Sequence, residues 1–220
     1  MAKPTFPLPA DAPFAVRHRA VGAVFSAIGR LVALAGLLLI LPLLLLIAVA
    51  IKLTSPGPVV YKQTRVGQYG RHFTIYKFRT MRIGADAELQ ALLAEQGMAV
   101  TGSYLKLAKD PRVTTVGGLL RKTSFDELPQ LFNVLKGDMN LVGPRPQTPA
   151  EVASYTEKVW RRLLVRPGIT GLWQISGRSD LAADEAHALD DEYVRNWTPM
   201  LDVAVLAKTP VAVVLQKGAY

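Results

Sequence analysis

The chain has 220 residues, of which 50% are hydrophobic, and its 26 Lys and Arg against 17 Asp and Glu give a net charge of +9. This surplus favours polyanionic partners, such as phosphorylated substrates, nucleic acid or an anionic membrane surface. The absence of cysteine excludes a disulfide framework, a thiolate metal site and a cysteine nucleophile. Three scattered histidines also argue against a histidine-rich zinc site.

The first strong feature in chain order is an uncharged run from Leu31 to Ile51, which follows a Pro- and Ala-rich tail over residues 1–19. Its length and uniform apolarity favour a membrane helix over a buried core helix or a cleaved signal peptide. Pro42 lies in its middle and is expected to bend it. Basic residues flank both ends, whereas the positive-inside rule favours one basic flank. Two topologies therefore stay equally open: a crossing helix, or a re-entrant one over residues 20–53.

The remaining elements follow a stop at Ser55 to Pro58. Short strands over residues 59–61 and 72–78, around Gly67 and Gly70, predict a β-hairpin. Helices are predicted over residues 84–97, from Val116 to Leu120, from Phe125 to Leu135, from Tyr155 to Leu164, from Asp184 to Trp197 and from Met200 to Gln216. The last of these is apolar, and we expect it to lie in the membrane interface or to pack on the core.

Asp126 and Glu127 adjoin at the start of a predicted helix. Ser124 and Glu127 have the spacing of a capping box, and acidic residues favour the first helical turn, so spacing alone favours a structural role. The chemical alternative is that one carboxylate attacks phosphorus. A divalent ion would then bridge Asp126 to phosphate oxygens, and Mg²⁺ suits such an oxygen-rich site.

Cations concentrate in loop-like segments that also hold Gly and Pro. Arginine forks and lysine charges match phosphate oxygens, although each such residue taken singly is more often ordinary surface. The rigid proline neighbours of Arg145 and Arg166 favour a binding role for these two. No P-loop, dinucleotide fingerprint, zinc-protease motif or serine-hydrolase elbow occurs in the chain.

Several motifs in fixed order carry a resemblance to a known family. They are Ile51 to Val59 (IKLTSPGPV), Tyr76 to Met81 (YKFRTM), Asp110 to Thr114 (DPRVT), Leu119 to Ser124 (LLRKTS), Asp126 to Leu131 (DELPQL), Gly143 to Pro146 (GPRP), Arg166 to Gln174 (RPGITGLWQ) and Lys217 to Tyr220 (KGAY). Together they resemble the bacterial sugar transferases that are monotopic phosphoglycosyl transferases. The match extends from about Ile28 to the C-terminus.

The resemblance implies a two-step transfer. Asp126 attacks the sugar-linked phosphate of a UDP-sugar, expels UMP and holds a covalent phosphosugar, with Glu127 completing the catalytic pair. Polyprenyl (undecaprenyl) phosphate then attacks this intermediate. Glucose, galactose and N-acetylated amino sugars all fit these assignments. The implied substrate-binding residues are Lys77, Arg79, Arg121, Arg145, Arg166 and Gln174, with Mg²⁺ at Asp126.

The resemblance also favours the re-entrant topology, with a break at Pro42, although Leu41 stands where family members often have serine. It implies an α+β fold: a mainly helical small catalytic domain over residues 54–220 with a short β-hairpin or small sheet, and interfacial amphipathic helices. The domain is expected on the cytoplasmic face of the bacterial inner membrane, in contact with membrane lipid. We expect the minimal catalytic form, without the four upstream helices of large members, and leave a homodimer open.

Two other functions compete with this interpretation. The net charge suggests a membrane-anchored nucleic-acid-binding protein, but the basic residues lie in Pro/Gly loops and no recognised module occurs, so we expect no nucleic-acid partner. A non-catalytic membrane scaffold with the same fold is the other alternative, and the intact pair of Asp126 and Glu127 argues against it.

Overall fold

A computed structural model describes residues 19–85, 87–88, 110–177 and 181–214. The predicted N-terminal tail and most of the predicted helix over residues 84–97 lie outside these ranges. The elements are α1 Arg19–Thr54, β1 Val60–Val66, β2 His72–Phe78, α2 Thr115–Thr123, α3 Leu131–Lys136, β3 Asn140–Val142, α4 Pro149–Ala153, α5 Glu157–Trp160, β4 Gly168–Thr170, α6 Leu172–Ser176, α7 Ala183–Asn196 and α8 Pro199–Val214. The described part is therefore mainly helical with little sheet, as predicted.

The long apolar helix α1 packs along the domain through one face. Its inner residues join two core clusters, one with Phe78 and Leu120 and one with Val134 and Met139. The inner residues are Ala33, Leu37, Leu44, Ile47 and Ile51, all buried. The opposite face is open, with Leu39 at 82% and Leu53 at 81% exposure. A helix that is apolar on both faces but packed on only one leaves the other for lipid.

Pro42 does not interrupt α1. The helix runs without a break from Arg19 to Thr54, with Pro42 inside it, so the predicted division into two helices is not seen in the secondary structure. Within Val21–Thr54, its most apolar 18-residue window has a mean hydropathy of 3.1, so the helix is long and apolar enough to cross a membrane. The re-entrant course stays a prediction.

Two small sheets complete the core. Strands β1 and β2 pair antiparallel, from Val60 opposite Phe78 to Val66 opposite His72, which confirms the hairpin. Its turn holds Tyr69 at φ 56° and Gly70 at φ 73°. Strands β3 and β4 pair in parallel, a sheet that the sequence analysis missed. Near it, Val142 packs with residues of α7 and α8 in a further cluster.

The predicted capping box at Ser124 is wrong. Ser124 adopts the left-handed conformation, with φ 58° and ψ 17°, and makes no side-chain cap. Its N–H bonds to Arg121 O at 3.1 Å and so ends α2, while the carboxylate of Glu127 has other partners. The predicted helix also divides into a 3₁₀ segment, Phe125–Gln130, and α3, which ends at Gly137 as expected.

Candidate active site

The 3₁₀ segment Phe125–Gln130 carries both candidate carboxylates and packs against the hairpin strand β2. Pro129 and Gln130 are buried and fix its far end, while Asp126 and Glu127 lie half-buried near its start. Strand β2 brings Lys77 to the same place, and the loop after β3 brings Arg145. Residues far apart in the sequence thus converge on one acidic pair.

Glu127 is held between two cations. Its Oε1 accepts from Lys77 Nζ at 2.7 Å and from Arg145 Nη1 at 2.9 Å. Burial alone would raise the pKa of Glu127, but the charges of Lys77 and Arg145 hold this pKa well below its usual range. Burial also lowers the pKa of Lys77, which the charge of Glu127 opposes. Glu127 therefore remains a carboxylate that orients the two cations.

Asp126 has a different environment from its neighbour. Within the described residues, no hydrogen bond or ion pair engages its carboxylate. Burial raises the pKa of Asp126 to about 6; the charge of Lys77 opposes this and the charge of Glu127 adds to it. Near neutral pH the carboxylate is thus ionised, uncommitted and nucleophilic.

A third cation borders Asp126. Arg121, near the end of α2, donates from Nε to Thr80 Oγ1 at 3.0 Å. Burial lowers the pKa of Arg121 while the charge of Asp126 raises it, so the two groups interact, and the guanidinium stays charged. Lys77, Arg121 and Arg145 outnumber the carboxylates of Asp126 and Glu127. The resulting positive excess suits a phosphorylated ligand.

A buried network behind the site positions Arg145. Arg162 donates from Nη2 to the backbone O of Arg145 at 2.9 Å and from Nη1 to Tyr155 Oη at 2.7 Å. It also pairs with Asp190, whose side chain is only 1% exposed, at 2.5 Å. The Arg145 guanidinium lies over the Trp173 ring, 6.0 Å from its centroid. No sequence pattern singles out Arg162 or Asp190, and Trp173 stands in the RPGITGLWQ motif without a predicted role.

The other predicted substrate residues lie elsewhere. Arg79 is buried and donates from Nη2 to Ser55 O at 2.8 Å and Oγ at 2.7 Å, just beyond the end of α1. Arg166 donates from Nη1 to Ser26 Oγ at 2.6 Å, near the other end of α1. Gln174 is buried on α6, and its amide has no hydrogen-bond partner among the described residues. The structure thus brings together Lys77, Arg121, Arg145, Asp126 and Glu127, while substrate roles for Arg79, Arg166 and Gln174 stay predictions.

An uncommitted carboxylate beside three cations, carried by a domain packed on an exposed apolar helix, defines a class: membrane-associated enzymes that act on phosphorylated substrates. The chain belongs to the bacterial sugar transferase family, whose sequence model matches residues 22–216.

Three relatives illustrate the similarity. An undecaprenyl-phosphate galactose phosphotransferase of Salmonella typhimurium is 49% identical over 166 residues, 74% of this chain and 35% of that protein. The exopolysaccharide production protein ExoY of Sinorhizobium fredii is 42% identical over 192 residues, 86% of this chain and 85% of that protein. A UDP-glucose:undecaprenyl-phosphate glucose-1-phosphate transferase of Escherichia coli K12 is 40% identical, over 84% of this chain and 39% of that protein. The chain thus spans nearly all of one relative but well under half of the other two.

Proposed function

We propose that the chain is a phosphoglycosyl transferase that moves a sugar-1-phosphate from a UDP-sugar to polyprenyl phosphate. The observation that carries the proposal is the contrast within the acidic pair: Glu127 is engaged by Lys77 and Arg145, whereas Asp126 is ionisable and uncommitted. The names of the relatives, which pair undecaprenyl phosphate with galactose or glucose phosphate transfer, support the substrate class.

In the first half-reaction a carboxylate oxygen of Asp126 attacks the phosphorus bonded to the sugar. The bond from that phosphorus to the oxygen bridging to the uridine-bearing phosphate breaks, and UMP leaves with the bonding electrons. Lys77, Arg121 and Arg145 surround the carboxylate and would balance the charge that develops on the phosphoryl oxygens. The sugar phosphate is then bound to Asp126 as an acyl phosphate.

In the second half-reaction an oxygen of polyprenyl phosphate attacks the same phosphorus. The acyl phosphate bond breaks and returns the carboxylate of Asp126, and the product is a sugar-diphospho-polyprenol. The half-reactions share one site, so UMP must leave before the lipid phosphate attacks. This order is the ping-pong scheme expected for covalent catalysis.

The candidate active site offers a magnesium ion one carboxylate ligand, Asp126, rather than a complete set of protein ligands. Among residues 19–85, 87–88, 110–177 and 181–214, no group of three or more metal-ligating side chains occurs. Asp126 is the uncommitted carboxylate of the pair, and Mg²⁺ commonly binds through one or two carboxylates together with substrate phosphates and waters. We propose that Asp126 holds the ion with the diphosphate, where the ion would neutralise phosphate charge.

Both ends of α1 contact the same domain, which supports the re-entrant topology. Arg166 bonds Ser26 near one end, and Arg79 bonds Ser55 at the other. These serines are separated by about 43 Å of helix at 1.5 Å per residue, more than the roughly 30 Å of a hydrocarbon core. A helix that crossed the bilayer would carry one contact to the far side. We therefore propose that both ends lie on the cytoplasmic face of the inner membrane.

The proposal is tested by incubating purified protein with undecaprenyl phosphate and, in turn, UDP-galactose, UDP-glucose and UDP-N-acetylglucosamine. We expect UMP release and a labelled lipid product with at least one donor. Asp126→Asn should lose both, while the control Asp138→Asn, which removes a carboxylate that pairs with Lys136, should keep them. Transfer at the wild-type rate by Asp126→Asn would exclude the covalent mechanism.

A further inference from the structure

Two further cations, Arg30 and Arg166, lie near the N-terminal end of α1. Ser26 and Arg30 are four residues apart and therefore lie one above the other on the same helix face. Arg166 reaches this face and donates from Nη1 to Ser26 Oγ at 2.6 Å. The guanidinium group of Arg166 therefore lies against the same face of α1 that carries Arg30.

Among the described residues, no carboxylate forms an ion pair that would balance the charge of these two arginines. Within the described part of the chain, neither Arg30 nor Arg166 makes an ion pair with an acidic residue. Burial lowers the pKa of Arg166, and the neighbouring charge of Arg30 lowers it further. Arg30 Nε is buried without a hydrogen-bond partner among the described residues. Placing two like charges together in partly buried positions is unfavourable, so the arrangement suits an anion.

A purely structural role accounts for one of the two arginines. The guanidinium of Arg30 lies so close to Gly137, at the end of α3, that a Cβ there would collide with it. The carbonyl end of a helix attracts a cation, which offsets part of the charge of Arg30. Arg166 has no such compensation from the described part of the chain, where its hydrogen-bond acceptor is the neutral hydroxyl of Ser26.

The same turns of α1 are apolar on the side opposite Ser26 and Arg30. Val24 is 57% exposed, Ile28 is 47% exposed and Leu31 is 67% exposed. These residues belong to the apolar face that faces no other part of the described chain. An anion at Arg30 and Arg166 would sit between the domain and a helix whose opposite side is open to acyl chains.

The hairpin turn supplies a further polar group. Tyr69 lies near Arg166, and it is 39% exposed. Its backbone adopts φ 56°, a left-handed conformation that is uncommon for residues other than glycine. Such local strain is often retained where a side chain contacts a ligand.

We propose that Arg30 and Arg166 form a binding site for the phosphate group of a membrane lipid, near the end of α1 opposite Arg79. Each planar fork can bond two phosphate oxygens, and Tyr69 can donate from its hydroxyl. Lys77 and Arg145 contact Glu127, whereas Arg166 contacts Ser26 on α1. The site is thus separate from the candidate active site and does not depend on the proposed transfer.

The test uses the purified full chain in neutral detergent micelles and measures its Tm as one additive at a time is titrated. The additives are phosphatidylcholine, phosphatidylglycerol, undecaprenyl phosphate and sodium phosphate. We expect an anionic lipid to raise the wild-type Tm on the order of 5 °C near saturation, because ligand binding to the native state stabilises it. Arg30→Gln/Arg166→Gln should lose most of this shift.

The matched control is Lys158→Gln/Arg195→Gln, which removes the same charge from exposed positions on α5 and α7 and should keep the full shift. Loss of the phosphatidylglycerol shift identifies bulk phospholipid as the ligand, and loss of the undecaprenyl phosphate shift alone identifies the polyprenyl acceptor. Equal shifts in Arg30→Gln/Arg166→Gln and wild type, or a full shift with sodium phosphate alone, overturn the proposal. If the double variant does not fold, Arg30→Gln and Arg166→Gln are measured singly, and full retention by both overturns it.

Discussion

Two adjacent carboxylates, Asp126 and Glu127, have pKa values that move in opposite directions because of their partners. Glu127 accepts hydrogen bonds from Lys77 and Arg145, and the charges of these two residues lower its pKa. Asp126, buried beside the charge of Glu127, has a pKa of about 6. In active sites, neighbouring titratable groups whose pKa values differ in this way commonly have different roles, such as acid, base or nucleophile. The contrast supports the proposed roles of Asp126 as the nucleophile and of Glu127 as the group that orients the cations.

Asp126→Asn should make the protein more stable at neutral pH while it removes activity. The pKa of Asp126 is 3.8 in the unfolded reference and about 6 in the fold, so its ionisation costs stability progressively as the pH rises between these values. Asparagine does not ionise, so the variant keeps the free energy of unfolding that ionisation of Asp126 removes, roughly 1 to 3 kcal/mol above pH 6. Thermal unfolding at pH 7.5 should show the gain, and the gain should shrink toward pH 4.

Glu127→Gln is the comparison for this prediction and should have the opposite sign. It leaves Lys77 and Arg145 without their charged acceptor, which destabilises a partly buried group of charges. A loss of stability in Asp126→Asn at pH 7.5 would contradict the assignment of a costly, uncommitted carboxylate.

The packing of α2 against the segment that follows β2 determines the position of Arg121. Thr114 caps α2, accepting from Gly117 N at 2.9 Å, and its own N–H bonds to Thr80 O at 2.9 Å. Gly117 approaches the Thr80 backbone so closely that any Cβ would overlap it. The absence of a side chain at Gly117 therefore sets the distance from which Arg121 reaches Thr80 and borders Asp126.

Gly117→Ala should destabilise the protein by about 1 to 3 kcal/mol, because the methyl group forces α2 away from Thr80. Transfer activity should fall with it, since Arg121 moves with the helix. Gly118→Ala is the matched control: its Cβ would meet only Val113 at 3.9 Å, an ordinary contact. In the control, alanine should add about 0.5 to 1 kcal/mol of stability because it is a better helix former. Equal effects of the two substitutions on unfolding would argue against the close approach.

The elements also show what the sequence could predict. A charged run predicts α7, an apolar run predicts α8, and short strands around turn glycines predict the hairpin. The structure confirms α7, the start of α8 and β2 to within one residue, whereas β1 continues to Val66 beyond its predicted end at residue 61. Strands β3 and β4 are three residues long, too short to carry a period. The acidic pair and its ring of cations were predicted through ordered motifs. The support from Arg162 and Asp190 was not predicted, because an ion pair between the 3₁₀ segment Arg161–Leu164 and α7 leaves no pattern in the sequence.

For the whole molecule, the relation between α1 and the domain is the decisive feature. Arginines of one domain bond to serines near both ends of this helix, and core residues pack along the length between them. A transmembrane anchor joined to its domain at one end would show neither property. The topology of the chain is therefore open to direct measurement.

The chain has no cysteine, so single cysteines can be introduced without further changes. Val21→Cys and Lys52→Cys place exposed thiols near the two ends of α1. With a membrane-impermeant maleimide, we expect both to react in inverted inner-membrane vesicles and neither to react in spheroplasts. Labelling of one variant from each side would show a crossing helix. Detergent-solubilised samples, in which both should react fully, are the control.

The packing of α1 has a practical consequence for anyone who wishes to work without a membrane. Ala33, Leu37, Leu44, Ile47 and Ile51 are buried core residues of the same clusters that contain Phe78, Leu120 and Val134. Deleting the helix would uncover this apolar surface and leave the strand and helices around the site without their packing partners. Truncation is therefore expected to give insoluble protein rather than a soluble catalytic fragment, so a water-soluble form must be sought by redesigning the outer face of α1 with the helix kept in place.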